Sequence, residues 1–155
     1  MEPVEYKVEE CTNIEDIPMR LLMDADPEEK MIEAYIHRSR TFLMYDKGEV
    51  IGVYVLLATR PNTVEIMNIA LTKAMQGKGL GEQLLRHALE TSRKLGYRIV
   101  EIGTGSTGMS QLYLYQKCGF RMVGVEVDYF LRNYSMPLYE NGLRIRDMVR
   151  LSRKL

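Results

Sequence analysis

Over residues 80–95 apolar side chains return every three or four positions. Leu80, Leu84, Leu85, Ala88 and Leu89 share one stripe, while Glu82, Arg86, His87, Glu90 and Arg93 fall on the other side. That period predicts an amphipathic helix over Leu80–Leu95, ended by Gly96. Elsewhere the period drops to two. Val4, Tyr6 and Val8 alternate in a first strand, Val4–Glu9. Phe42–Tyr45 and Val50–Ala58 flank Asp46-Lys47-Gly48 as a hairpin, and a turn at Pro61-Asn62 leads into a third strand, Val64–Leu71.

Between the first strand and the hairpin, Thr12 and Glu15 sit at capping-box spacing, so a helix begins near Asn13 and carries Ile14, Ile17, Leu21 and Leu22. Pro18 delays that start by a turn, because proline is tolerated only near a helix beginning. Asp26-Pro27-Glu28-Glu29 reads as a second start, with Asp26 as cap and the helix reaching about Ser39. After Gly96 come a strand at Arg98–Ile102, a polar loop over Gly103–Gly108 and a short helix at Met109–Lys117, closed by Gly119. Strands at Arg121–Val127 and Ile145–Leu151 finish the chain, joined by an irregular Tyr-rich connection. The pattern predicts an α/β (α+β) fold with a mixed sheet of about seven strands covered by helices.

At 155 residues the chain fits one domain, 1–155, with a core large enough to need neither disulfides nor metal. Lys+Arg and Asp+Glu both number 21, and that balance disfavours bulk nucleic acid or an anionic membrane surface as partner. Cys11 and Cys118 are too few and too distant for a disulfide framework or zinc cluster, which suits a reducing cytoplasm. The acidic start, Met1-Glu2-Pro3-Val4-Glu5, lacks the pattern of a signal peptide, and no apolar run approaches the roughly 18 residues of a membrane span. His37 and His87 have no metal-ligand partner at useful spacing. A cytoplasmic, metal-free protein is expected.

The stretch that changes this picture is Gln76-Gly77-Lys78-Gly79-Leu80-Gly81, between a strand and the clearest helix. Glycines at a helix mouth leave backbone N–H groups uncovered, and the dipole there attracts anions. A phosphate-bearing ligand is the natural guest, with Lys78 adding charge. A Walker loop needs a different spacing and a Ser or Thr after the lysine; a dinucleotide fold needs its glycines early in a strand–helix–strand repeat. Neither fits.

These residues resemble the GNAT superfamily of acetyl-CoA-dependent N-acetyltransferases, whose signature is Gln or Arg, two residues, Gly, one residue, Gly or Ala. Gln76, Gly79 and Gly81 match it. Asn68-Ile69-Ala70-Leu71 looks like the end of the family's fourth strand, and Leu114-Tyr115-Gln116-Lys117-Cys118-Gly119-Phe120 is similar to its Leu-Tyr-x-Lys-x-Gly-Phe element. Glu140-Asn141-Gly142 with Arg146-Asp147-Met148 resembles a small bacterial subgroup of that family. One departure is Gly108, standing where the family often has Asn, in a loop that offers Thr104, Ser106, Thr107 and Ser110 instead.

The resemblance implies a mostly antiparallel sheet, acetyl-CoA as acetyl donor, and an amine-bearing acceptor, a small molecule ahead of a protein. It implies that the backbone of Ile69, Ala70 and Leu71 receives the pantetheine arm, that a strand bulge opens the slot, and that Gln76, Gly77, Lys78, Gly79, Leu80, Gly81 and Glu82 hold the pyrophosphate. Ser110 and Lys117 join the cofactor contacts. Glu65, eleven residues before Gln76, is the candidate general base, and strand alternation sets Glu65, Met67 and Ile69 on one face. Tyr115 is the candidate acid for the departing thiolate. Glu126, Asp128 and Glu140 read as solvated charge, and Cys118 as packing. Two rival readings stay open: a non-catalytic acetyl-CoA sensor, and a binder of another phosphate ligand such as a nucleotide. The resemblance also leaves a homodimer open.

Overall fold

The computed structural model describes residues 6–155; Val4 and Glu5 of the expected first strand lie outside them. In chain order the elements are β1 (Lys7–Cys11), α1 (Met19–Ala25), α2 (Glu29–Ile36), β2 (Arg40–Asp46), β3 (Glu49–Arg60), β4 (Thr63–Leu71), α3 (Leu80–Lys94) and β5 (Ile99–Gly105). There follow α4 (Met109–Lys117), β6 (Arg121–Glu126), α5 (Tyr129–Asn133), a short hairpin of β7 (Tyr139–Glu140) and β8 (Leu143–Arg144), and β9 (Met148–Lys154). Seven strands form one sheet in the order β1-β2-β3-β4-β5-β9-β6. Among the described residues only β4 and β5 run parallel; the other neighbours are antiparallel.

Local chemistry explains most of these boundaries. Lys47 and Gly48 both take positive φ, 50° and 82°, so the β2–β3 turn twists in the sense that its flanking strands require. β3 is buried continuously from Ile51 to Leu57 because it feeds two cores. Tyr54 and Leu56 join one core with Leu80, Leu84, Leu85, Ala88 and Leu89 of α3 and Tyr115 of α4. Val53, Val55 and Leu57 join the other, with Leu21 and Leu22 of α1 and Ile32, Tyr35 and Ile36 of α2. The helices therefore cover both sheet faces. Among the described residues no helix is long and apolar enough to cross a membrane.

Several expected boundaries shift. Pro18 does set the start of α1 at Met19, but the upstream segment is only a single 3-10 turn, Ile14–Asp16. Its cap is Asn13, whose side chain accepts the Glu15 N–H at 3.0 Å, in place of the Thr12–Glu15 capping box. Asp26 does not cap α2. It closes α1, and its carboxylate accepts the hydroxyls of Tyr134 (2.6 Å) and Tyr35 (3.4 Å). α2 accordingly starts at Glu29 and stops at Ile36, short of Ser39. β5 continues to Gly105, since β9 pairs with it from Ile99↔Lys154 to Gly105↔Met148; only residues 106–108 remain as loop. β9 begins at Met148 instead of Ile145. The Tyr-rich connection is partly ordered, holding α5 and the β7–β8 hairpin.

Candidate active site

β4 and β5 pair only from Thr63↔Ile99 to Ile66↔Ile102. Beyond that point β5 keeps β9 as partner and residues 67–71 of β4 keep β3 alone. The two parallel strands part, leaving the β5-facing backbone groups of residues 67–71 without a neighbouring strand. Backbone N–H and C=O groups require partners, so the gap suits an extended ligand carrying amides. Ile69, Ala70 and Leu71 all lie along it.

A bulge creates the divergence and also reverses the expected face pattern. Val55 opposes Asn68 and Leu56 opposes Ile66, so Met67 is the extra residue. Val64 and Ile66 lie in the α3 core, and after the bulge Ile69 and Leu71 return to it. Met67 and Ala70 pack on the α1–α2 core instead. Glu65 thus shares its face with Met67, and Ile69 lies on the opposite one; unbroken alternation through Glu65, Met67 and Ile69 does not hold. Asn68 shows the same reversal. It is 4% exposed, and its amide donates to the Leu22 carbonyl (2.9 Å) and the Tyr35 hydroxyl (3.1 Å) on the α1–α2 side.

At the end of β4 the chain turns through Gln76–Gly81 into α3. The Gln76 side chain donates to the Leu71 carbonyl at 3.1 Å, stapling the loop to the strand. Gly77 and Gly79 take φ of 76° and 78°, and a Cβ on either would meet nothing within 4 Å. Gly79 caps α3 with no side-chain bond, so the first N–H groups of the helix have no side-chain acceptor. An open helix start of this kind suits an anion. Glu82 stands in the first turn, where its carboxylate pairs with Lys117 Nζ at 2.8 Å and Arg86 Nε at 3.1 Å. Those cations hold the Glu82 carboxyl below its ordinary range. Lys117 is therefore at the mouth of α3, while Lys78 is exposed beside the glycines.

Tyr115 on α4 is buried and packs against Phe120, with ring centroids 6.1 Å apart. Burial first, and the Glu140 charge second, push its hydroxyl above the ordinary tyrosine range. Glu140 comes from β7 and accepts the Thr107 hydroxyl at 3.3 Å, while Asn141 donates to the Thr107 carbonyl at 2.7 Å. Gly108 sits within the same knot: a Cβ there would be 2.9 Å from Gln111 Oε1, 3.1 Å from Thr104 Oγ1 and 3.2 Å from Glu140 Oε1. The position that departs from the family pattern is thus crowded by α4, β5 and the β7–β8 hairpin together. Ser110 is exposed and donates to Gln111 Oε1 at 3.2 Å. Cys118 is buried, and burial pushes its thiol up, as for a packing residue.

On the face covered by α1 and α2, Glu65 accepts from Arg150 Nη1 at 3.3 Å. Arg150 also donates from Nε to Glu126 Oε1 at 2.7 Å, and its guanidinium lies 5.7 Å from the Tyr129 ring centre. Burial raises the Glu65 carboxyl above its ordinary range; Arg150 opposes this, and the charges of Glu101 and Glu126 reinforce it. Nearby, burial raises the Asp26 carboxyl against the pull of its Tyr134 and Tyr35 donors. Ser135 donates to Glu28 Oε1 at 2.6 Å, so the late connection is tied to the α1–α2 turn at two points. Sequence reasoning missed Arg150, Tyr129 and Asp26, and it discounted Glu126 and Glu140 as solvated charge. Apart from Asp26, which reads as a helix cap, their only signal was the density of Tyr, Arg and acidic residues after residue 125.

A family model described as acetyltransferase (GNAT) family matches residues 9–120. The uncharacterized N-acetyltransferase YvbK of Bacillus subtilis is 46% identical over 151 residues, covering 97% of this chain and 96% of that protein. An IAA acetyltransferase from Bacillus cereus superposes with a TM-score of 0.94 at 49% identity, covering 97% of this chain and all of the other (100%). A GNAT family acetyltransferase from Elizabethkingia anophelis, solved with acetyl-CoA bound, gives a TM-score of 0.94 at 37% identity over 97% of this chain and 98% of its own.

Proposed function

The chain belongs to the acetyltransferase (GNAT) family, an acetyl-CoA-dependent acyltransferase, and from that premise we propose that it moves the acetyl group directly to a primary amine in a ternary complex. The observation that carries the reading is the parting of β4 from β5 after Ile66, with the uncapped, glycine-lined start of α3 at the end of the same strand. In this reading the pyrophosphate lies on the N–H groups from Gly77 to Glu82, where no side chain blocks approach and the helix dipole favours the negative charge. The pantetheine amides pair with Ile69–Leu71 as an added strand. A backbone N–H of Ile69 or Leu71 then faces the thioester oxygen and stabilises the oxyanion.

The acceptor arrives as an ammonium ion. With a lysine-like pKa near 10.4, about one molecule in a few thousand is neutral at pH 7, so proton removal limits attack. Glu65 accepts that proton, directly or through one water, and releases it to solvent. Its raised affinity for a proton, caused by burial, makes it a better base near neutrality. The amine nitrogen forms its bond to the carbonyl carbon, the carbon–sulfur bond breaks, and the thiolate takes a proton from Tyr115. The second proton lost by the nitrogen restores Tyr115 through solvent. Burial keeps the Tyr115 phenol protonated until the thiolate appears.

Two measurements test this. Thermal unfolding is titrated with acetyl-CoA, coenzyme A, ATP and NAD. Ligand at about a hundred times its Kd adds about 2.7 kcal/mol, or roughly 5–10 °C for a chain of this size. Free thiol release is then followed with diamines, amino acids, aminoglycosides, lysine peptides and IAA, for which the Bacillus cereus relative is named. A shift with both coenzyme A species, plus thiol release with an amine, supports transfer. A shift without turnover on any amine leaves a binding module, and a larger shift with ATP or NAD overturns the cofactor.

A further inference from the structure

Glu65 and Arg150 come from strands that are not neighbours. β5 lies between β4 and β9, so the Arg150 guanidinium must cross a whole strand to reach the carboxylate 3.3 Å away. It crosses at Gly103, its register partner on β5. A Cβ at Gly103 would stand 3.2 Å from Arg150 Nη1 and 2.6 Å from Met148 Sδ, so the missing side chain is what leaves the path open. At the other side Glu126 holds Nε at 2.7 Å, and Tyr129 covers the guanidinium face. The guanidinium is therefore held at Nε by Glu126 and on one face by Tyr129, with Nη1 aimed at Glu65.

We propose that Arg150, anchored by Glu126 and passing over Gly103, is a positioning residue that holds the Glu65 carboxylate in place as the base for the incoming amine. This rests on the reading of Glu65 as base. The groups facing Glu65 are Glu101 beside it on β5, Arg150 on β9, Glu126 on β6 and Tyr129 on α5, with Asp26 beyond Tyr129. Of these only Arg150 is cationic. A carboxylate that is desolvated and flanked by two other acids tends to hold its proton, and a protonated carboxyl cannot serve as a base. Arg150 opposes both effects, while Glu126, by sharing the guanidinium, keeps the opposition partial. The arrangement leaves Glu65 with a higher proton affinity than an ordinary carboxylate, and Arg150 is the group that limits the rise.

The test needs no knowledge of the acceptor. Side-chain carboxyl carbons of Glu are labelled, the Glu65 signal is assigned by its loss in Glu65→Gln, and its titration midpoint is read by NMR in the coenzyme A complex. Arg150→Gln is expected to move that midpoint to higher pH, and Arg150→Lys, which restores the charge without the fork, to bring it at least partway back. A midpoint unmoved in folded Arg150→Gln overturns the proposal and leaves Arg150 a structural ion pair. Should Arg150→Gln fail to fold, Glu126→Gln asks the same question. It removes a repelling charge and frees the guanidinium for Glu65, so the midpoint must move to lower pH, and no movement overturns the proposal. If the midpoints move as expected but Glu65→Gln retains full thiol release across the pH range, the base assignment fails while the Arg150–Glu65 coupling stands.

Discussion

Gly79 gives the sharpest separation between a turn residue and a ligand-contacting one. Its φ of 78° lies in the left-handed region, and a Cβ there would meet nothing within 4 Å. Gly79→Ala therefore introduces backbone strain without a clash. Strain of this kind costs about 1–2 kcal/mol, and the stiffer unfolded chain offsets about 0.4–1 of it. The expected net loss is about 0–1.6 kcal/mol, a fall of at most roughly 6 °C in Tm. Gly48 is a natural control, because it has φ of 82°, equally open surroundings and a place in the distant β2–β3 turn. Gly48→Ala should lose the same stability. Only at Gly79 would the new methyl stand in the path of the pyrophosphate. Displacing one charged hydrogen bond costs about 1.5–3 kcal/mol, which is roughly a 10–150-fold weaker Kd for coenzyme A. Calorimetric titration of both variants at one salt concentration decides the matter. Equal destabilisation with unchanged affinity in Gly79→Ala would refute the cradle and leave Gly79 as a turn former only.

Further outcomes follow from the same contacts. Tyr115→Phe should lower kcat several-fold with coenzyme A affinity kept, since the ring stays packed on Phe120 and only the proton donor is lost; full kcat would remove Tyr115 from the mechanism. Gly103→Ala should displace Arg150 and raise the Glu65 midpoint as Arg150→Gln does, and a folded variant with an unmoved midpoint would contradict the crossing at Gly103. His87, expected on sequence grounds merely to face away, sits with Nδ1 2.8 Å from the buried Tyr54 hydroxyl, and burial lowers its proton affinity. A histidine held neutral in the fold contributes stability that is present above its unfolded pKa of about 6.5 and is lost as pH falls toward and through its lowered folded value. Between pH 7.5 and 5 the Tm of the native chain should therefore fall more than that of His87→Gln, and parallel curves would count against the linkage.

The glycine-lined start of α3 was readable because its information is local. Gln76, Gly77 and Gly79 lie within a few residues of each other, and the stripe from Leu80 to Leu89 announces the helix whose start they form. α4 was legible to the residue, Met109–Lys117, because Gly108 and Gly119 bound a single helical run. Asp26 misled for the opposite reason. Asp-Pro-Glu-Glu is a sound local start signal, yet Tyr134, 108 residues later, takes the carboxylate, and a charged hydrogen bond outweighs a cap worth about 1 kcal/mol.

The Glu65–Arg150 cluster is built by long-range geometry that no local pattern carries. One inserted residue, Met67, turns the strand over, so parity counted from Ile69 places Glu65 on the wrong face. Sheet order then does what sequence order cannot: β9, the last strand in the chain, enters between β5 and β6. That insertion brings Arg150 within reach of Glu65, 85 residues earlier, and of Glu126 on its other flank. The glycines at 103 and 105, which look like loop residues, are instead the places where later residues lie close against β5: Met148 and Arg150 at one, Ile145 at the other. Gly103, which reads as flexibility along the chain, is, across the sheet, the clearance needed for an arginine to pass. The candidate base and the residue that governs it are therefore one unit only when the strands are in register. Any change to that register, by inserting or deleting one residue at Met67, should disconnect them while leaving the glycine cradle at α3 able to bind coenzyme A.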